Sequence, residues 1–248
     1  MRTTLQKTIL IALVVFFSIS ANSQDGPKGT VKLNLFGLAF RNINLQGEYA
    51  FHKNFSGCFG FNFMLPGKLP GAFPSASTEA LESAGFKNFS VSGYSFTPEL
   101  RFYPGKKDEH QAPHGFYLAP YFRYGKYTFK TDFDFTNEDT GNTDTYKSAF
   151  SYGGYGGGLM IGTQWLIGEH FSIDWYILGG HGGSGNVSIS LTDPAIGDLS
   201  AEGKAELEKE LAESGKNATV TISGDKATVK VKTPCMGFRM GLSLGFAF

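Results

Sequence analysis

From residue 30 onward, apolar and polar residues alternate with a period of two over long stretches, the signature of strands whose two faces meet different surroundings. The alternation predicts eight strands, at 30–36, 43–51, 55–64, 90–104, 115–135, 147–167, 171–191 and 233–248. One parity carries Leu33, Leu45, Phe59, Phe61, Phe63, Phe96, Phe122, Ile161, Trp175, Leu244, Phe246 and Phe248, with no charged residue in the set. The other carries Lys32, Gln46, Glu48, Glu99, Arg101, Arg123, Gln164, Asp174 and Arg239, interleaved with glycine, serine and tyrosine. A soluble sandwich or lipocalin-like barrel would have to bury all that phenylalanine and leave the scattered charges outside. An apolar outer face against lipid and a polar lumen account for both parities at once.

The connections alternate in the same sense. "HKN" (52–54), "PGKKDEHQAPH" (104–114) and "GEH" (168–170) are short or modest and polar. Segments 65–89, 136–146 and 192–232 are longer, and only the first connection on that side, around "LAFRN" (38–42), is brief. Short turns at one end and long loops at the other predict an eight-stranded antiparallel transmembrane up-and-down β-barrel, loops outward. The last extracellular loop carries an insertion. "PAIGDLSAEGKAELEKELAESG" (194–215) predicts a helix capped by Ser200 with Leu207 and Leu211 one turn apart, and "ATVTISGDKATVKVKT" (218–233) a hairpin with a Gly-Asp turn. Pro98 and Pro120 fall inside strands without a ladder donor, and a shared bulge would absorb both.

Residues 1–23 lie outside the pattern. Arg2 and Lys7 precede the apolar run 8–20, too short to span a bilayer as a helix, and "ANS" (21–23) supplies small residues before Gln24. This reads as a secretory signal peptide, leaving 24–248 as one barrel domain. Composition agrees with the class: 33 glycines, 24 phenylalanines, 11 tyrosines and only 18% charged residues. Lys plus Arg equals Asp plus Glu at 22 each, which argues against a nucleic-acid partner. The strand map places Cys58 and Cys235 at opposite ends of the molecule, so two free thiols are expected.

The ending "GLSLGFAF" (241–248) resembles the carboxy-terminal signal read by the outer-membrane assembly machinery, which makes Leu244, Phe246 and Phe248 candidate assembly residues. "FTPELRFYPGKK" (96–107) with "APHGFYLAPYFRYGKY" (112–127) resembles the strand–turn–strand core of a Bacteroidota outer-membrane family of small barrels, known only as a domain of unknown function. "LQGEYAF" (45–51) and the late helical stretch fit it too. The resemblance implies outer-membrane location and barrel fold and brings no activity.

Candidate chemistry is sparse. Inward Glu48, Glu99 and Asp174 against Arg101, Arg123 and Arg239, with Lys32 near the lower rim, read as an ion network plugging a narrow lumen. The rival readings are a narrow pore or a carboxylate acid/base site. The glycine strand 152–162 has no following helix, so it is no phosphate loop; Tyr117 and Tyr121 are expected to lie over it. His52, His110, His114 and His170 fall in turns, where a solvated role outweighs a metal. His181 reads as lipid-facing, with Ser184 three residues on, and some eight-stranded outer-membrane enzymes that modify lipid A use a His and a Ser at the lipid interface. Residues three apart in a strand face opposite ways, which weakens that match. The sequence predicts no enzyme, cofactor or metal. The expected partners are outer-membrane lipid, the assembly machinery, and a protein engaged through the loops, as a surface recognition element or a subunit of a larger assembly.

Overall fold

The computed structural model describes residues 27–67, 86–105, 112–136, 143–214 and 218–248. Nine strands form one antiparallel sheet: β1 (Gly29–Asn34), β2 (Asn42–His52), β3 (Phe55–Gly67), β4 (Phe86–Phe102), β5 (Gly115–Thr136), β6 (Thr143–Ile167), β7 (Phe171–Thr192), β8 (Ala218–Ser223) and β9 (Lys226–Ala247). The order is β1-β2-β3-β4-β5-β6-β7-β9-β8, and β1 also pairs with β9, closing a ring of eight with β8 outside it. The expected eight-stranded barrel is borne out.

Registered pairs give the barrel its shape. Gly237 leads through His181, Gly158, Tyr121, Glu99, Cys58, Glu48 and Thr30 to Ala247, ten residues further along the strand where the path began. An eight-stranded ring with that stagger has strands tilted by roughly 40° and a lumen that side chains can fill.

The wall is uneven in height. β5 and β6 stay paired from Gly115↔Gln164 to Thr136↔Thr143. β1 pairs with β9 only from Thr30↔Ala247 to Asn34↔Ser243. At Asn34 the chain leaves the strand for one helical turn, α1 (Leu35–Ala39), whose N-cap is the Asn34 side chain accepting from Gly37 N–H. This turn lies between β2 and β9, where β1 would otherwise have continued.

The last connection holds α2 (Pro194–Gly197) and α3 (Ala201–Ser214). Ser200 Oγ accepts from Gly203 N–H at 3.1 Å, the expected cap, and Leu207 and Leu211 are half-buried. The hairpin and the last barrel strand are continuous: β9 runs unbroken from the Gly224 turn to Ala247. Glu208 of α3 accepts the Ile222 N–H, so the helix covers part of the β8 edge.

Two expectations need correction. Glu99↔Tyr121 and Phe96↔Tyr124 keep one register across Pro98, and Phe102↔Leu118 keeps it across Pro120. The prolines interrupt the ladder without a bulge, because a missing donor weakens a pair but does not add a residue. The bulge that matters is in β7. Gly162 pairs with Tyr176, but Ile161 pairs with Leu178, leaving Ile177 extra. Below it the even residues Ser172, Asp174 and Tyr176 face inward; above it Gly179 and His181 do.

The outside is a band of large apolar side chains, among them Phe51 at 61% exposure and Phe238 at 84%; the buried interior holds Lys32, Glu48, Glu99, Arg101 and Asp174 beside Tyr103, Tyr117 and Met160. Apolar groups outside and charges inside invert the arrangement that water imposes.

Candidate functional site

Every strand of the ring sends a residue into one interior cluster: Lys32 from β1, Glu48 from β2, Ser56 from β3, Glu99 and Arg101 from β4, Tyr117 from β5, Gln164 from β6, Asp174 from β7 and Arg239 from β9. Inward parity puts each there, and the stagger brings them to one level. Lys32 Nζ donates to Glu48 Oε2 at 2.6 Å, Gln164 Oε1 at 2.7 Å and Asp174 Oδ2 at 2.7 Å. Arg101 donates through Nε and Nη2 to Glu99 Oε2 at 3.0 and 2.8 Å, and through Nη1 to Asp174 Oδ2 at 2.7 Å. Arg239 Nη1 donates to Glu99 Oε1 at 2.9 Å.

The remaining carboxylate oxygens are also taken. Glu48 Oε1 accepts from Ser56 Oγ at 2.5 Å and Tyr103 Oη at 2.6 Å, and Asp174 Oδ1 accepts from Tyr117 Oη at 2.8 Å. Arg101 lies 4.3 Å from the Tyr117 ring centroid, and Arg239 stands over Tyr121 and Tyr176. Three cations meet three carboxylates, so the cluster is neutral. Such a core is tolerable in a low dielectric only because each charge is paired and each carboxylate oxygen bonded. Chemically it is a bolt: Glu48 and Asp174 are both clamped by Lys32 and Arg101, so neither is left to exchange a proton with a substrate.

Of the residues singled out by pattern, Glu48, Glu99, Arg101, Asp174 and Arg239 come together here. Arg123 does not. It faces the lumen higher up and donates from Nη2 to Tyr127 Oη at 3.0 Å. Its place in the charge balance is taken by Lys32, which is 1% exposed at the heart of the cluster rather than at the rim. Ser56, Tyr103 and Gln164 were missed as members. Tyr103 shares the parity of Glu99 and Arg101, and that was the signal available.

His181 is not lipid-facing. The β7 bulge turns it into the lumen, where its Nδ1 sits 3.0 Å from Tyr121 Oη, while Ser184 is exposed on the opposite face. Tyr117 lies over Gly162, where a Cβ would come within 2.4 Å of the ring. Tyr121 turns toward His181 and Arg239 instead of covering Gly158. His114 accepts the Leu166 N–H at 3.1 Å and His170 stacks on Phe246; His110, Lys106, Lys107 and Asp108 lie outside the described residues. Cys58 and Cys235 are buried and free.

At the lower rim, Leu244 pairs with Leu33 and Ile173, and Phe246 with Val31 and Phe171. Phe248 ends beyond β9: its carbonyl accepts from the Lys28 and Gly29 N–H groups, and its ring covers Gly29, where a Cβ would lie 2.5 Å away.

The family model "Protein of unknown function (DUF3575)" matches residues 8–184. No curated protein matches the chain. A crystal structure of a major outer membrane protein from Thermus thermophilus aligns with a TM-score of 0.44 and 14% identity, over 89% of this chain and 98% of that one. That likeness is too distant to carry function.

Proposed function

We propose that this chain, which belongs to the DUF3575 family, is an integral outer-membrane barrel with a bolted lumen, acting at the cell surface through its upper loops rather than by catalysis or bulk transport. The observation that carries the reading is the neutral ion cluster tied to every strand of a ring whose outside is apolar. An eight-stranded wall with all its ladder bonds internal suits hydrocarbon, and a lumen filled by paired charges suits a plug better than a pore. The opposite facing of His181 and Ser184 supports a non-catalytic role. In this reading bilayer lipid surrounds the wall, the assembly machinery reads the segment ending in Phe248, and α3 with the β8–β9 hairpin forms the platform for a protein partner.

Two measurements on the purified protein test it. Unboiled and boiled samples should migrate differently on SDS gels, and the folded protein in a planar bilayer should add no steady conductance. Equal migration together with solubility in detergent-free buffer would refute the membrane assignment; steady open-channel currents would refute the plug.

A further inference from the structure

Above Arg239 the barrel passes from filled to open. At the level of the bolt, Arg101, Tyr103 and Tyr117 are fully buried; higher up the inward-facing Arg123, Tyr127, Tyr152 and His181 are only half-buried. The β6–β7 side of this upper space is nearly bare. Between Met160 below and Tyr152 above, its inward positions are Gly154, Gly156 and Gly158 on β6 and Gly183 and Gly185 on β7, with His181 the one side chain in that stretch and Cys235 of β9 lying against Gly154. These strands curl so closely that a Cβ at Gly158 or Gly183 would lie 2.0 Å from a carbonyl oxygen of the neighbouring strand. No larger side chain fits at those two positions, and the facing Arg123, Tyr127 and His181 stay half-exposed, so the lumen opens to solvent as a chamber above the bolt.

The charges in this chamber do not cancel. Lys32, Arg101 and Arg239 are matched by Glu48, Glu99 and Asp174 below, so Arg123 is a fourth inward cation with no inward carboxylate left for it among the described residues. Among the described residues its hydrogen bond is to the Tyr127 hydroxyl, and no ion pair is formed. Around it stand further donors. Tyr121 Oη is bonded to His181 Nδ1, and the His181 ring lies over Gly237, where a Cβ would come within 2.7 Å of Cε1. Arg123 follows Tyr121 by two residues on the inward face of β5, opposite the Gly156↔Gly183 pair beside Gly158↔His181, and Arg239 stands over the Tyr121 ring from below. A guanidinium partly withdrawn from water favours an anion, and a guanidinium flanked by hydroxyl and imidazole groups suits a tetrahedral oxyanion with several acceptors.

We infer that the chamber above the bolt is a binding site for a phosphate group, with Arg123 as its charged anchor and Tyr127, Tyr121 and His181 as the surrounding polar groups. The phosphate belongs either to a small solute entering by the upper mouth or to a lipid headgroup at the upper rim; the chemistry at Arg123 is the same. The inference goes beyond the surface role proposed above and requires only the folded barrel.

The test uses the whole mature protein in maltoside micelles, free of phosphate detergents. Inorganic phosphate is titrated by calorimetry against wild type, Arg123→Gln and Tyr127→Phe, while phosphatidylglycerol and, as a phosphate-free control, diacylglycerol are offered before native mass spectrometry. Arg123→Gln should weaken binding about tenfold to a hundredfold, the range for a hydrogen bond to a charged group, and Tyr127→Phe by less. Inorganic phosphate binding assigns a solute; phosphatidylglycerol retained without it, and lost in Arg123→Gln, assigns a headgroup. The site is refuted if neither probe binds a heat-modifiable wild type, or if both bind the two variants as well as wild type. Should Arg123→Gln lose its heat-modifiable band, the Tyr127→Phe comparison alone decides.

Discussion

Glu99 shows how little slack the bolt has. It receives two bonds from Arg101 and one from Arg239, so removing its charge strands Arg239 outright and leaves Arg101 with only Glu48 and Asp174. Glu99→Ala should cost about 3–5 kcal/mol, the usual penalty for leaving a buried charge unpaired, and should lower the temperature at which the folded band disappears on a gel. Glu99→Gln keeps part of the hydrogen bonding and should cost less. Arg123→Gln, outside the bolt, should leave that temperature within a few degrees of wild type. An equal drop for Arg123→Gln and Glu99→Ala would mean that the two arginines share one network. Inward parity alone identified both as lumen residues. It could not rank them, because height inside a tilted barrel depends on the stagger of all eight strands. That is why Lys32 read as a rim residue and Arg123 as a network member.

Among the elements, β7 is where the period-2 reading breaks. Counting by twos from Asp174 sends His181 outward; the extra residue at Ile177 sends it in. Nothing in "YILGGHGG" marks the insertion except its glycines, which are as frequent in regular parts of β6. His181→Cys should therefore react with a charged, membrane-impermeant thiol reagent entering through the mouth, and Ser184→Cys should react independently of anything that blocks the lumen. Deleting Ile177 should leave both labelling patterns unchanged if the upper half of the strand keeps its pairing, because the shortened strand then alternates regularly from inward Tyr176 to inward His181. Slow labelling at His181→Cys with water-soluble reagent, and fast labelling with a bilayer-partitioned one, would return the residue to the lipid face. Helix α3 makes a separate case. Its existence, its Ser200 cap and its leucine pair were legible, but its bond from Glu208 to the β8 edge was not, since nothing local couples residues 208 and 222. Replacing 195–216 by a Gly/Ser linker should leave heat-modifiability near normal, because loop length costs little in closure entropy, and should abolish capture of any partner that docks on the platform. Partner capture that survives the replacement would move recognition to another loop.

For the whole molecule, the unequal seams decide where strength is concentrated. β5, β6, β7 and β9 pair along twenty or so residues each, whereas β1 meets β9 over Thr30–Asn34 alone. A Leu33→Cys, Leu244→Cys pair set across that junction should, once oxidised, raise the temperature at which the folded band is lost, and reduction should restore the wild-type value. No change on oxidation would place the weakest junction elsewhere. The same junction also has a consequence in time. All other ring neighbours are linked by a hairpin or a single excursion, so they can find one another while most of the chain is still unordered. Val31 must wait for Phe246, its partner from the far side of the sequence. Ring formation is thus a late event, limited by a search over nearly the whole polymer and rewarded by only a few ladder rungs. Until it happens the sheet is a curled ribbon with two reactive margins, able to capture a neighbouring molecule as readily as itself. Refolding yield should then fall with protein concentration while the early gain of β-signal does not, a race between self-capture and capture of another copy whose outcome dilution controls.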